Sequence, residues 1–245
     1  MQPIPARERL IFALDVPGPA EARRTVEQLG DSVAFYKLGL ELMMTGGYFE
    51  LLDWLVGRGK KVFADLKFFD IPATVAGAVR GLNGRGVAFT TVHGHRAVMD
   101  AAVGAARDVR ILAVTVLTSF DRADVDELGT GIAVEQLVLH RARQALESGC
   151  AGVIASGVEA PAIRREVGEK LTIVTPGIRP AENRAQDDQK RVLTVERAFA
   201  AGADYIVVGR PIRDAADPRA AAEAIQAAIA AACAPSAPRA ARAGT

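Results

Sequence analysis

A chain of 245 residues that is 50% hydrophobic and 24% charged can bury a large core and lacks the charge excess of a disordered segment. Its formal net charge of +1 speaks against a nucleic-acid surface built on bulk charge and favours a small-molecule partner. The two cysteines, Cys150 and Cys233, lie far apart with no C-x-x-C spacing, which suggests neither a disulfide framework nor a structural zinc site.

The opening "MQPIPARERL" lacks the apolar centre of a signal peptide, and no run of about 18 apolar residues follows anywhere. A cytoplasmic protein without membrane contact is expected. Strand-like runs recur along the chain: "LIFALD" (10–15), "AFYKLG" (34–39), "KVFADLK" (61–67) and "AFTTVH" (88–93). "RILAVTVLT" (110–118), "CAGVIAS" (150–156), "LTIVTPG" (171–177) and "DYIVVGR" (204–210) complete the set. Helix-like segments lie between them, among them 18–30, 132–149 and 194–203, with Gly30, Gly149 and Gly202 placed as C-caps. Eight strand-helix units in about 230 residues is the count of an α/β (β/α)8 TIM barrel, whereas a doubly wound sheet more often stops at five or six strands. The barrel is expected as a single domain over 1–232. The Pro/Ala/Arg-rich tail, 233–245, is expected to be disordered.

Polar residues gather where these strands end. Asp15, Lys37, Asp65, Lys67, His93, Thr118, Ser156 and the pair Gly209–Arg210 fall at or just past successive C-terminal ends, the face on which such barrels build their sites. In "KVFADLKFFDIPAT", Asp65 and Lys67 are two apart and share a face, with Asp70 just beyond the strand. Charges at that depth cost several kcal/mol each unless paired, so the stretch is either a salt bridge closing a strand or a working site. Gly209 and Arg210 at the end of the eighth strand suit a phosphate group, held by backbone N–H groups and a guanidinium. Arg179 and Gln189, in or beside the long polar stretch 175–191, would add contacts as a lid.

The segments "FALD", "FYKLGLEL", "FADLKFFDIPAT", "AVTVLTS", "VTPGIRP" and "ADYIVVGRPI", in that order from about Leu10 to Ile212, resemble the bacterial orotidine 5′-phosphate decarboxylases. The D-x-K-x-x-D element is shared with 3-keto-L-gulonate 6-phosphate decarboxylases and hexulose-phosphate synthases. Those relatives carry a glutamate where this chain has Lys37, and they use magnesium. The resemblance implies conversion of orotidine 5′-phosphate to UMP with no cofactor and no metal. Lys67, Asp65, Asp70 and Lys37 are implied as the catalytic array, with Lys67 as proton donor. Asp15 and Lys37 are implied at the ribose, Thr118 with Ser119 at the pyrimidine amide edge, and Arg179, Gln189, Gly209 and Arg210 at the phosphate; Gln186 is the alternative to Gln189. Asp70 and Thr74 are implied to reach a partner subunit's site, which makes the expected assembly a homodimer with shared active sites. A magnesium-dependent sugar-phosphate enzyme and a catalytically silent phosphate-binding protein are the rival readings. The stretch "TVHGHRAVM" departs from the family pattern: His93 is kept, His95 and Arg96 are unusual, and H-x-H without a third ligand is expected as rim histidine.

Overall fold

Eight apolar runs become eight parallel strands in the computed structural model, which describes residues 4–127, 129, 131–179 and 192–234. They are β1 (Leu10–Ala13), β2 (Phe35–Gly39), β3 (Lys61–Phe68), β4 (Val87–His93), β5 (Arg110–Val114), β6 (Gly152–Ile154), β7 (Thr172–Thr175) and β8 (Tyr205–Val208). Each pairs with its neighbour in sequence, and β8 returns to β1 through Leu10↔Ile206, Ile11↔Val207 and Phe12↔Val208. Closure removes the sheet edges, and with helices in the crossovers the architecture is the expected single-domain (β/α)8 barrel. The expected helices appear as Pro19–Leu29, Val134–Glu147 and Val195–Ala200. Gly30, Gly149 and Gly202 take φ of 54°, 80° and 101° at or just past their ends, left-handed values open to a residue without Cβ. The helix Pro218–Ala232 is capped by Cys233; the expected tail lies, from residue 235 on, outside the described residues. Among the described residues no helix is long and apolar enough to cross a membrane.

Strand alternation sorts the core into two layers. Leu10, Phe12 and Leu14 on β1 and its extension, Tyr36 and Leu38 on β2, and Val62 and Ala64 on β3 point outward into the layer shared with the helices. Ile11, Phe35, Phe63, Phe89 and Tyr205 point into the barrel. There Phe35 stacks on Phe89 at 5.5 Å, and Tyr205 meets both rings edge-on at 5.9 and 5.4 Å, a geometry aromatic quadrupoles favour. The interior is therefore plugged by aromatic rings, not open as a pore.

Several strands stop earlier than their apolar runs. β5 ends at Val114 instead of residue 118, and β8 at Val208 instead of 210. The overshoot has a physical cause: Val116 and Leu117 lie past the end of β5 and stay apolar because they wall a cavity. β3 carries two register shifts against β4, one between Val62 and Phe63 and a larger one beyond Ala64. Its partners on β4 step from Ala64↔Thr90 to Phe68↔Val92, four residues against two. Within that step Lys67 takes φ 47°, the one positive value outside glycine among the described residues.

Candidate active site

Above the aromatic plug, at the C-terminal ends of the strands, lies a cavity of about 480 Å³, within the size range of small-ligand sites. Its charged floor follows from strand alternation. The inward series on β3 runs Phe63, Asp65, Lys67, and on β2 Phe35 is followed by Lys37. Asp15 continues β1 past its paired end. The four form one chain of alternating sign: Asp15 Oδ1 lies 3.1 Å from Lys37 Nζ, which lies 3.5 Å from Asp65 Oδ2, which accepts a hydrogen bond from Lys67 Nζ at 2.8 Å. A Cβ on Gly39 would sit 3.3 Å from both Asp15 Oδ1 and Lys37 Nζ, so glycine there leaves the pair its room.

Burial acts against these charges, and pairing outweighs it. Desolvation alone would raise the Asp65 carboxyl, but Lys37 and Lys67, with hydrogen bonds from Lys67 and Thr91, hold it below the usual carboxylate range. Desolvation would likewise lower the Lys37 ammonium, yet Asp65 and Asp15 hold it above its ordinary value. Both groups stay charged at neutral pH. The array is thus a fixed set of ions whose positive members, Lys37 and Lys67, line the cavity.

One polar partner in this array carries no signal in the sequence. Thr91 is fully buried on β4, facing inward between Phe89 and His93, and its Oγ1 donates to Asp65 Oδ1 at 2.8 Å while accepting from the Lys67 backbone N–H at 3.0 Å. A threonine in a strand is what β-propensity favours anyway, so nothing in "AFTTVH" distinguishes it.

The cavity walls bring together most of the remaining expected residues. Thr118 and Ser119 line one side, and Arg179, Gly209 and Arg210 another. A Cβ on Gly209 would approach the Cβ of Ala13 to 3.3 Å, so the close approach of β8 to β1 restricts that position. Arg213 also lines the cavity and was not expected from the sequence; its Nη1 donates to the Asp15 backbone oxygen at 2.9 Å and its other nitrogens hold Asp214. Val114, Val116, Ile154 and Val207 supply an apolar wall.

Asp70 and Thr74 are not part of this array within one chain. Both are exposed, Asp70 Oδ1 accepts from the Ile71 N–H at 2.6 Å, and the two residues flank a separate shallow depression behind Lys67. His93 is half-buried with its ring 5.2 Å from that of Phe69; His95 is exposed at 6.2 Å from the same ring. Arg96 is tied to Glu147 and Asp100 on the surface. Gln189 and Gln186 lie outside the described residues.

Comparison with known proteins gives a consistent set of relatives. The profile of the orotidine 5′-phosphate decarboxylase / HUMPS family matches residues 8–225. The chain is 59% identical over 228 residues to the orotidine 5′-phosphate decarboxylase of Methylococcus capsulatus, covering 93% of this chain and 94% of that protein. It is 56% identical over 229 residues to the enzyme of that name from Xanthomonas campestris pv. campestris, with the same coverage of 93% and 94%. The crystal structure of orotidine 5′-phosphate decarboxylase from Lactobacillus acidophilus superposes with a TM-score of 0.79 at 34% identity, covering 91% of this chain and 99% of that one.

Proposed function

The chain belongs to the orotidine 5′-phosphate decarboxylase / HUMPS family, and on that premise we propose that it is a carboxy-lyase converting orotidine 5′-phosphate to UMP and CO2 in de novo pyrimidine biosynthesis, with Lys67 as proton donor. The observation that carries the reading is the alternating Asp15, Lys37, Asp65, Lys67 array at the base of the cavity. Lys37 favours the orotidylate branch of the family over the magnesium-dependent branch. Its ammonium stands between two carboxylates, where the resemblance gives those relatives a glutamate.

The chemistry needs such an array. Breaking the C6–carboxylate bond leaves an electron pair in the plane of the pyrimidine ring, out of reach of its π-system. Charge that appears only on the way to the transition state is best met by cations already fixed in place, which need not reorganise. The Lys67 ammonium balances the developing charge and then gives its proton to C6, leaving a neutral amine and UMP. Asp65 holds Lys67 and lies close to the departing carboxylate, whose repulsion is relieved as CO2 leaves. Asp15 and Lys37 grip the ribose hydroxyls, Thr118 with Ser119 the pyrimidine amide edge, and Arg179, Gln189, Gly209 and Arg210 the phosphate. No cofactor enters this scheme.

A homodimer with shared sites belongs to the same reading. Asp70 and Thr74 stand exposed beside Phe69 and Ile71, two large apolar side chains 65% and 67% exposed, which is how a surface awaiting a second copy is built. The setting is cytoplasmic, in keeping with two free cysteines, of which buried Cys150 has its thiol pushed up to about 12 by desolvation.

Loss of the orotate absorbance on adding orotidine 5′-phosphate, with and without EDTA, tests the activity: the expected result is turnover indifferent to chelation. Turnover abolished by chelation would move the chain to the magnesium-dependent branch, and UMP binding without turnover would make it a silent binder. Mixing an Asp70→Ala chain with a Lys67→Ala chain tests the dimer, because a mixed pair holds one intact site. A mixture no more active than its parents, despite subunit exchange, would sink the shared-site model.

A further inference from the structure

Thr91 takes no part in the chemistry just described, yet two of the reacting groups are fastened to its hydroxyl. We propose that Thr91 is a positioning residue: it holds the left-handed Lys67 backbone and one oxygen of Asp65, and so aims the Lys67 ammonium at the reacting carbon. The inference rests on the decarboxylase reading and goes beyond it by assigning a role to a residue set behind the cavity lining.

The four-against-two step between β3 and β4 explains why a hydroxyl is needed there. Four residues of β3 span two of β4, which leaves the half-buried Lys67 N–H to find its acceptor outside the regular ladder. Thr91 Oγ1 accepts it at 3.0 Å. A backbone N–H can only donate, so the hydroxyl must accept from it, and its single proton is left for Asp65 Oδ1 at 2.8 Å. An ionised carboxylate can only accept, so the direction of both bonds follows from the groups themselves.

The consequence reaches the ammonium. With Oδ1 pinned by Thr91, Asp65 presents Oδ2 to both lysines, at 2.8 Å to Lys67 and 3.5 Å to Lys37. A residue with a Cβ does not adopt φ 47° unless its surroundings over-determine it, and here backbone and side chain of Lys67 are held separately, by Thr91 and by Asp65. Valine has the shape of threonine without the hydroxyl. In its presence the Lys67 N–H and Asp65 Oδ1 would both lose their partner, and the kinked backbone would lose the bond that holds it.

Thr91→Val and Thr91→Ser, assayed for kcat, KM and UMP affinity, test the role. Thr91→Val is expected to lower kcat on the order of 10²-fold, the usual effect of a reacting group set about 1 Å astray, while KM and UMP affinity stay close to wild type. Thr91→Ser keeps the hydroxyl and should keep kcat within about threefold of wild type. The role is overturned if Thr91→Val turns over like wild type, if its UMP affinity falls in step with kcat, or if Thr91→Ser loses as much kcat as Thr91→Val. Should the valine chain fail to fold, Thr91→Ser decides alone, since a large loss of turnover there contradicts a role carried by the hydroxyl. A wild-type chain that does not decarboxylate orotidine 5′-phosphate overturns the reading beneath the proposal, whereas an active wild type beside an unaffected Thr91→Val overturns only Thr91.

Discussion

On β2, β3 and β4 the inward side chain changes from aromatic to polar in a single two-residue step: Phe35 to Lys37, Phe63 to Asp65, Phe89 to Thr91. Below the step, rings stack at 5.5 Å in a buried apolar layer. Above it, charges stand 2.8 to 3.5 Å apart. The two layers depend on each other. The aromatic layer offers the charges little to bind, so they are satisfied by one another and by the Thr91 hydroxyl, and electrostatic interactions there are stronger than they would be in water. The lowered Asp65 carboxyl and the raised Lys37 ammonium are the outcome of that mutual dependence.

The most damaging change should be one that removes a charge used only in the transition state. Lys67→Ala is expected to lose at least about 10⁴-fold in kcat, combining the loss of the proposed proton donor with the loss of a fixed cation. UMP affinity should change little, because UMP carries no charge at C6 to be balanced. Substantial decarboxylation by Lys67→Ala would show the upper layer to be a structural salt bridge. The aromatic layer should fail differently. Phe89→Ala removes the ring that Phe35, Phe63 and Tyr205 all contact, and should cost about 3–5 kcal/mol of stability in a denaturant titration. If Phe89→Ala leaves stability intact, the aromatic layer is not the platform on which the ions rest.

Much of the upper layer was legible in the sequence because a charge set inside an apolar run costs stability unless it is paired or put to use. Asp15, Lys37, Asp65, Lys67 and Arg210 all break a strand pattern, and all line the cavity. Thr91 and Arg213 were not legible, for two reasons. A threonine in a strand obeys the local pattern it also serves. Arg213 sits in a polar helix turn after β8, where an arginine is ordinary, and only the fold brings it to the backbone of Asp15, 198 residues away. The kink at Lys67 escaped as well, since a register step between two strands has no one-chain signature. Strand ends were overrun at β5 and β8 because apolar walls of a cavity and apolar cores of a sheet look alike in sequence.

A smaller effect is expected at the rim, where Arg210 is proposed to grip the phosphate, a group present in substrate, transition state and product alike. Arg210→Ala should weaken UMP binding by about 1.5–3 kcal/mol, the worth of a hydrogen bond to a charged group, and should depress kcat at saturation much less than Lys67→Ala does. Free phosphite dianion should restore part of the lost activity by occupying the vacated subsite, with no such rescue for Lys67→Ala. A kcat loss in Arg210→Ala as deep as that of Lys67→Ala would erase the distinction between a binding rim and a catalytic floor.

The smallest effect concerns His93, which ends the inward series of β4 after Phe89 and Thr91 and is half-buried. Burial first, then the positive charges of Arg141 and Lys67, lower its imidazole below 6.5. The neutral form is therefore the native one near neutrality. In the unfolded chain the ring protonates near 6.5, in the native chain only at lower pH, so between these values the unfolded state binds more protons. Stability contributed by the neutral ring is thus intact above that window and declines as pH falls through it. His93→Gln keeps a polar side chain that does not titrate, so wild type should lose stability relative to it as denaturant titrations move from about pH 7.5 to about pH 5. The gap should be small because His93 is only partly buried. An imidazole signal for His93 that titrates above 6.5 in NMR would mean that neither burial nor the charges of Arg141 and Lys67 set its protonation.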